Sequence, residues 1–254
     1  MNLATIIGIA VGVTAVIAGQ VLEGGHISSI FHLTAGVIVF GGTFGAVLVQ
    51  YPMSVVSLAL RMAAGSLVEK DIDMRRTIAE IASFVRIARK EGVLALEPKI
   101  REHEDYFFRK GLQLVVDGVG IEDIKEIMTI EMACEEERKI EASKVFESAG
   151  GYAPTLGILG AVLGLISVME NLADPSALGH GIAVAFVATV YGVGSANLFW
   201  LPFAGKLRLK TRHDTLKKEL MIEGIVSLSR GENPRLICER LEGFLTRKER
   251  GNLE

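Results

Sequence analysis

The sequence predicts an all-α membrane protein, with four transmembrane helices and a helical cytoplasmic domain between the second and third. Three observations carry this prediction. Every one of the 27 Lys and Arg residues lies in two segments, Arg61–Lys144 and Lys206–Arg250, so residues 1–60 and 145–205 hold none. Burying one unpaired Lys or Arg at the membrane centre costs about 3 kcal/mol on insertion scales, and spanning segments must lack them. Secondly, the charge-poor regions divide into apolar runs of about 20 residues, which at ~1.5 Å rise span the ~30 Å hydrocarbon core. Thirdly, small residues recur every fourth position in these runs, which puts them on one helical face where a neighbouring backbone can approach.

Taken in order, residues 1–52 hold the first two transmembrane helices. The first is Leu3–Leu22, apolar apart from Thr5, Thr14 and Gln20. It lacks a basic leading region and a cleavage signal, so it reads as a retained span rather than a signal peptide. Gly8 and Gly12 give it a close-packing face. Gly24 and Gly25 break the chain before the second span, Ile30–Tyr51, where Gly41 and Gly45 repeat the spacing. His32 near its outer end reads as an interfacial, hydrated histidine in preference to a proton relay.

Residues 53–150 form the helical cytoplasmic domain. Ile78, Ile81, Val85 and Ala88 have helical spacing, with Arg75, Glu80, Arg86 and Lys90 on other faces. Gly92 interrupts that helix and Glu97-Pro98 starts the next element. Ile121–Ser148 reads as one long helix that could run on into the third span. Its acidic run Glu131, Glu135, Glu136 and Glu137 reads as a solvated face.

Residues 151–203 hold the third and fourth transmembrane helices, two apolar runs (Ala153–Leu172 and Gly181–Leu201) around the polar break DPSALGH. Gly160 and Gly164 in one run, and Ala188, Gly192 and Ala196 in the other, carry the small-residue spacing. Pro154 is expected in the first turn of its helix and Pro202 at the end of the other, positions where a missing N–H is tolerated or helps termination. Residues 204–254 are the cytoplasmic tail, helical at first and ending in the charged stretch TRKERGNLE, expected to be disordered.

Orientation follows from the positive-inside tendency: the basic segments, and with them both termini, face the cytoplasm, and the two short loops face out. Cys134 and Cys238 then sit where thiols stay reduced and read as structural. There is no phosphate-binding glycine loop, nucleophile elbow or metal-ligand spacing, which points away from an enzyme and implies no cofactor, no metal and no nucleic-acid partner. Glu170, the acid nearest a span interior, lies ~24 Å along its helix from Pro154, near the outer mouth. A chain of this kind that moves ions needs a partner to supply a central carboxylate. A chain that moves nothing needs no partner. Composition and spacing leave both readings open.

The stretch APTLGILGAVLGLI, followed by DPSALGHGIAVAFVATVYGVGSANLFWLPFAGKL, resembles the third and fourth transmembrane segments of the MotA/PomA family of flagellar motor stators. ARKEGVLALE (Ala88–Glu97) resembles the family's cytoplasmic charged motif, and the order of spans extends the likeness over nearly the whole chain. The resemblance implies roles for particular residues. Arg89 and Glu97 match the rotor-interacting positions. Pro154 and Pro202 match the prolines that couple ion flow to movement. Thr189 matches a pore-lining position and Tyr191 belongs to the same motif, with Thr155 and Ala161 along the implied ion pathway.

The resemblance further implies a multi-pass protein of the cell inner membrane. It would form a homopentamer around a single-span, peptidoglycan-binding MotB-type subunit that carries the ion on an Asp, and it would push a rotor switch protein. Sodium-driven members tend to carry Thr where this chain has Ala161, so proton coupling is expected. The alternative class is the ExbB/TolQ-like energiser of outer-membrane processes, which typically has three spans. A non-transporting scaffold or a different membrane enzyme is the third reading.

Overall fold

The computed structural model describes residues 3–68, 73–170 and 175–247. The elements run α1 (Leu3–Leu22), a 3-10 turn (Ile27–Ile30), α2 (Leu33–Gly36), a π-type turn (Val37–Gly41), α3 (Gly42–Gln50), α4 (Met53–Val68), α5 (Met74–Glu91), a 3-10 turn (Val93–Leu96) and α6 (Glu97–Glu102). They continue with α7 (Tyr106–Val116), α8 (Ile121–Glu170), α9 (Pro175–Ser195), a second π-type turn (Ala196–Trp200), α10 (Leu201–Ser229), α11 (Pro234–Leu241) and a 3-10 turn (Glu242–Phe244). Four helical stretches are long and apolar enough to cross a membrane: Ala4–Leu22, Ile27–Gln50, and parts of Ile121–Glu170 and Leu178–Ser229. There is no strand among the described residues, so the expected all-α fold with four spans is the one observed.

The described residues fall into two compact units. Met1–Lys70 with Arg138–Leu209 hold the four apolar stretches, and Asp71–Glu137 with Lys210–Glu254 form a separate helical body.

Several expectations need correction. Pro154 does not open a helix; it lies inside the 50-residue α8. A proline there removes one i→i−4 hydrogen bond, which leaves the Gly150 carbonyl without its helical partner. The same turn is closely packed: a Cβ placed on Gly150 would lie 2.6 Å from Leu201 Cδ2 and 3.4 Å from Trp200 Cβ. Pro202 does not end a helix either, since it is the second residue of α10. The π-type turn Ala196–Trp200 immediately before it widens the helix, the usual way a ladder absorbs a missing donor. Helix α9 starts at Pro175, so most of the predicted polar break is helical, with proline at the first position where it is tolerated. The second span starts its regular helix at Leu33, after extended His32. Residues 248–254 of the charged terminal stretch, and Asp174 of the break, lie outside the described residues.

The first unit has two cores. Ala35, Val39, Ala153, Val184, Val187 and Ala188 join the second span to α8 and α9. Val47, Val56, Ala59, Ala142, Val145, Phe146, Phe203 and Leu207 gather α4, α8 and α10. Helix α4, an apolar helix of 16 residues, was not separated out by the sequence reading. At the foot of the second span Tyr51 ends the helix ahead of Pro52, as residues before proline tend to. Its hydroxyl shares a 2.9 Å hydrogen bond with Ser148 Oγ, and Tyr152 Oη donates to Gln50 Oε1 at 2.8 Å.

The second unit is held by Ile78, Ile81, Phe84, Val85, Leu96, Phe108, Leu112, Ile124, Met128, Leu220, Ile225 and Ile237. Ile78, Ile81 and Val85 are on the face that the helical spacing marked. The acidic run of α8 is only partly solvated: Glu131 pairs with Lys110 of α7, and Glu135 with Lys218 of α10. These two acids are one turn apart and share a face, which is why they reach partners together.

Asp105 caps α7, accepting from the N–H groups of Phe107 and Phe108 at 3.1 and 3.2 Å, and pairs with Lys217 at 2.9 Å. Burial alone would push its carboxyl up, but the Lys217 ammonium and the backbone donors together hold it below the usual carboxylate range. A lowered carboxyl stabilises the fold above its unfolded pKa, near 4, and that contribution is lost as pH falls through the lower folded value. Asp105→Ala is expected to cost about 1–2 kcal/mol in neutral solution, a cap plus a partly exposed ion pair. Asp105→Asn keeps the cap and removes only the pH-dependent part. Thermal unfolding of the purified variants at neutral and acid pH checks both: the wild type should lose its advantage over Asp105→Asn on acidification.

Candidate ion pathway and rotor-facing surface

The site residues expected from the sequence fall into two groups, one in each unit. In the first, α8 and α9 pack backbone to backbone. A Cβ placed on Gly192 would lie 2.5 Å from the Ala153 carbonyl oxygen and 3.1 Å from the Cα atoms of both Gly157 and Pro154. One on Gly157 would lie 2.8 Å from the Ala188 oxygen, and one on Gly164 would lie 2.8 Å from the Gly181 oxygen. The expected faces Gly160–Gly164 and Ala188–Gly192 thus meet each other. The seam also needs Gly157 and Gly181, neither of which belongs to the four-residue series marked from the sequence; Gly157 shares the face because it precedes Gly160 by three positions. In contrast, Cβ atoms on Gly41 and Gly45 would meet nothing within 4 Å, so that face of the second span is open within one chain; on the first span Gly8 is likewise open, but a Cβ on Gly12 would lie 2.9 Å from Leu198 Cδ2.

Thr189 sits on this seam, its Cα 3.4 Å from a Cβ placed on Gly157. It is half-buried, and its hydroxyl donates to the Ala185 carbonyl at 3.3 Å, a weak bond. Ala161 is half-buried and Thr155 exposed, with the Thr155 hydroxyl donating to the Tyr152 carbonyl at 2.8 Å. Pro154 faces Gly192 across the seam, and Leu201, beside Pro202, covers Gly150 one turn below Pro154. Tyr191 does something separate. Its hydroxyl donates to the Ile30 carbonyl at 2.7 Å and accepts from the His32 N–H at 3.3 Å, tying α9 to the start of the second span. No Asp, Glu, Lys or Arg lies between Thr155 and Met169, or from Pro175 to Gly205. The walls of this region therefore offer hydroxyls and carbonyls but no charge that could carry an ion.

In the second unit, Arg89 is in the last turn of α5 and Glu97 opens α6. Between them runs a short link, Gly92 and the 3-10 turn Val93–Leu96. Gly92 has φ +87°, a conformation that side chains disfavour, and buried Leu96 anchors the far end. The link therefore fixes Arg89 and Glu97 on either side of one turn. Arg89 is exposed and makes no ion pair among the described residues. Glu97 has a long, solvent-exposed pairing with Arg101 at 3.9 Å. Such a pair contributes little to stability, so both charges are available to a partner.

Comparison with known proteins decides the family. Residues 6–92 match the model for the motility protein A N-terminal region, and residues 99–220 match that of the MotA/TolQ/ExbB proton channel family. Motility protein A of Bacillus subtilis is 36% identical, over 98% of this chain and 93% of its own length. This chain belongs to the MotA/PomA family. Another family member, the chemotaxis protein PomA of Vibrio alginolyticus, is 34% identical over 98% of each chain. In three dimensions, the MotA/PomA fold of this chain superposes on the flagellar MotAB stator complex of B. subtilis with a TM-score of 0.89. That match is 36% identical and covers 98% of this chain and 99% of the other.

Proposed function

We propose that this chain is the membrane subunit of a flagellar motor stator, working with a MotB-type partner to convert an ion-motive force into rotor torque. The observation that carries the reading is a near-full-length likeness to a chain of a flagellar stator complex, 36% identical with 98% of this chain covered. The site supports it. The seam around Thr189 supplies polar atoms and no carboxylate, so the ion-carrying acid comes from the partner, lodged against α8 and α9. A homopentamer surrounds that partner in the cell inner membrane, with both termini and the second unit in the cytoplasm. Ion passage steps the ring around its partner, and Arg89 and Glu97 engage charged groups of the rotor switch protein. One charge crossing 100 mV supplies about 2.3 kcal/mol, enough to bias a helical ring between packings a few kcal/mol apart. The ion is the proton, because Ala161 offers a methyl group where a hydroxyl would help to replace the hydration shell of sodium.

Deleting the gene is expected to leave cells with intact filaments that do not rotate, and supplying it in trans should restore rotation. Restored swimming should persist without sodium and stop on adding a protonophore. Swimming that needs sodium and survives the protonophore would overturn the proton assignment. A deletion strain that swims but fails in outer-membrane uptake would favour the energiser class.

A further inference from the structure

We propose that His32 and His180 form a zinc-type transition-metal site that clamps the second span to the fourth. His180 lies on α9 and His32 just before α2, 148 positions apart in the chain, yet their ring centroids are 5.5 Å apart and their planes are tilted by 60°. A zinc ion bonds imidazole nitrogen at about 2.0–2.1 Å, which puts each ring centroid ~3.2 Å from the metal. At the tetrahedral angle, two such rings have centroids roughly 5.2 Å apart. The observed separation is within a few tenths of an ångström of that value. The terminal torsion of a histidine is broad, so a nitrogen of each ring can turn inward without backbone movement.

The surrounding structure holds the two backbones in place. His32 is the extended residue just before α2, and its N–H is bonded to the Tyr191 hydroxyl, which also holds Ile30. Tyr191 is 11 residues beyond His180 on α9, three turns along, so both point from one face of that helix toward the second span. Below them Ala35, Val184, Val187 and Ala188 are packed out of solvent. The site would thus be organised before any metal arrives, which favours binding. Among the described residues no group of three His, Cys, Asp or Glu gathers, so the donor set there is the two imidazole nitrogens, with water completing the coordination. Two imidazoles with open positions suit borderline-soft zinc and exclude hard cations such as magnesium or calcium, which require oxygen.

The purified full-length complex, titrated with zinc at about pH 7.5, where an ordinary imidazole is neutral, tests the site. One zinc per chain is expected to bind. His32→Ala and His180→Ala should each weaken binding by at least about tenfold, the factor that even outer partners of a metal ligand carry. His26→Ala, a change of an exposed histidine in the same loop, should leave it unchanged. Cobalt substituted for zinc should give the intense visible bands of a tetrahedral site in the wild type and lose them in either variant. Equal zinc binding by the wild type and the His32→Ala, His180→Ala double variant would overturn the proposal, as would a loss that follows His26 instead. Unchanged thermal melting of the metal-free variants, measured alongside, separates loss of a ligand from loss of the fold.

Discussion

Replacing Gly192 with valine is expected to abolish motility and to deplete folded protein from the membrane fraction. The expectation rests on what the new side chain would meet: a carbonyl oxygen at 2.5 Å and two Cα atoms at 3.1 Å, all backbone of α8. Side chains can swing aside, but here two helices would have to move apart along the whole seam. Overpacking a core usually costs about 1–3 kcal/mol, and a clash made entirely with backbone belongs at the upper end. Net stabilities are only about 5–15 kcal/mol, so a loss of that size is felt throughout the protein. Separating α8 from α9 would also displace Thr189 from Gly157, and with it the lining of the proposed path. Gly45→Ala, at a position with nothing within 4 Å, is the matched control and should melt like the wild type in dispersed single chains. A Gly192→Val protein with the wild-type melting midpoint would show that the two helices do not depend on this seam.

The second large effect is expected from Arg89→Glu, which should stop or strongly slow rotation while leaving the amount of assembled complex unchanged. Arg89 is exposed, and surface changes of this kind usually shift stability by no more than about 0.5 kcal/mol. Function is another matter. On the proposed function, reversing the sign replaces an attraction with a repulsion, each about 1 kcal/mol at an exposed contact, for a roughly thirtyfold weaker engagement. Glu97→Lys should act in the same direction, and a charge reversal on the rotor should partly restore either variant. Torque from tethered cells, read together with immunoblots of the membrane fraction, distinguishes the outcomes. Loss of the protein itself would make Arg89 structural.

Much of the fold was legible because the signals were local. The gap in Lys and Arg located the spans, and Ile78, Ile81 and Val85 marked the buried face of α5. Gly92 and Glu97-Pro98 bracketed the link between Arg89 and Glu97. The two prolines were misread because their usual positions, first turn and helix end, describe a helix in isolation. Here the cost of Pro154 falls where Leu201 and Trp200 pack over Gly150, and Pro202 follows a turn that had already widened. Glu131 and Glu135 were read as solvated because their lysine partners come from α7 and α10, far along the chain. For the same reason the neighbours Tyr191, Ile30 and His32 left no trace in the spacing: no period connects residues about 160 positions apart.

The two π-type turns, Val37–Gly41 and Ala196–Trp200, have a consequence for register. A π-type turn holds one residue more than an α-turn. Each of these spans therefore carries one spare residue, and the helix on either side of it keeps its own phase. In the fourth span the face set against α8 before Ala196 is therefore offset, by about the 100° that one residue turns, from the face it would otherwise become along Leu201–Ser229. A single inserted residue thus re-aims the second half of the helix without interrupting it.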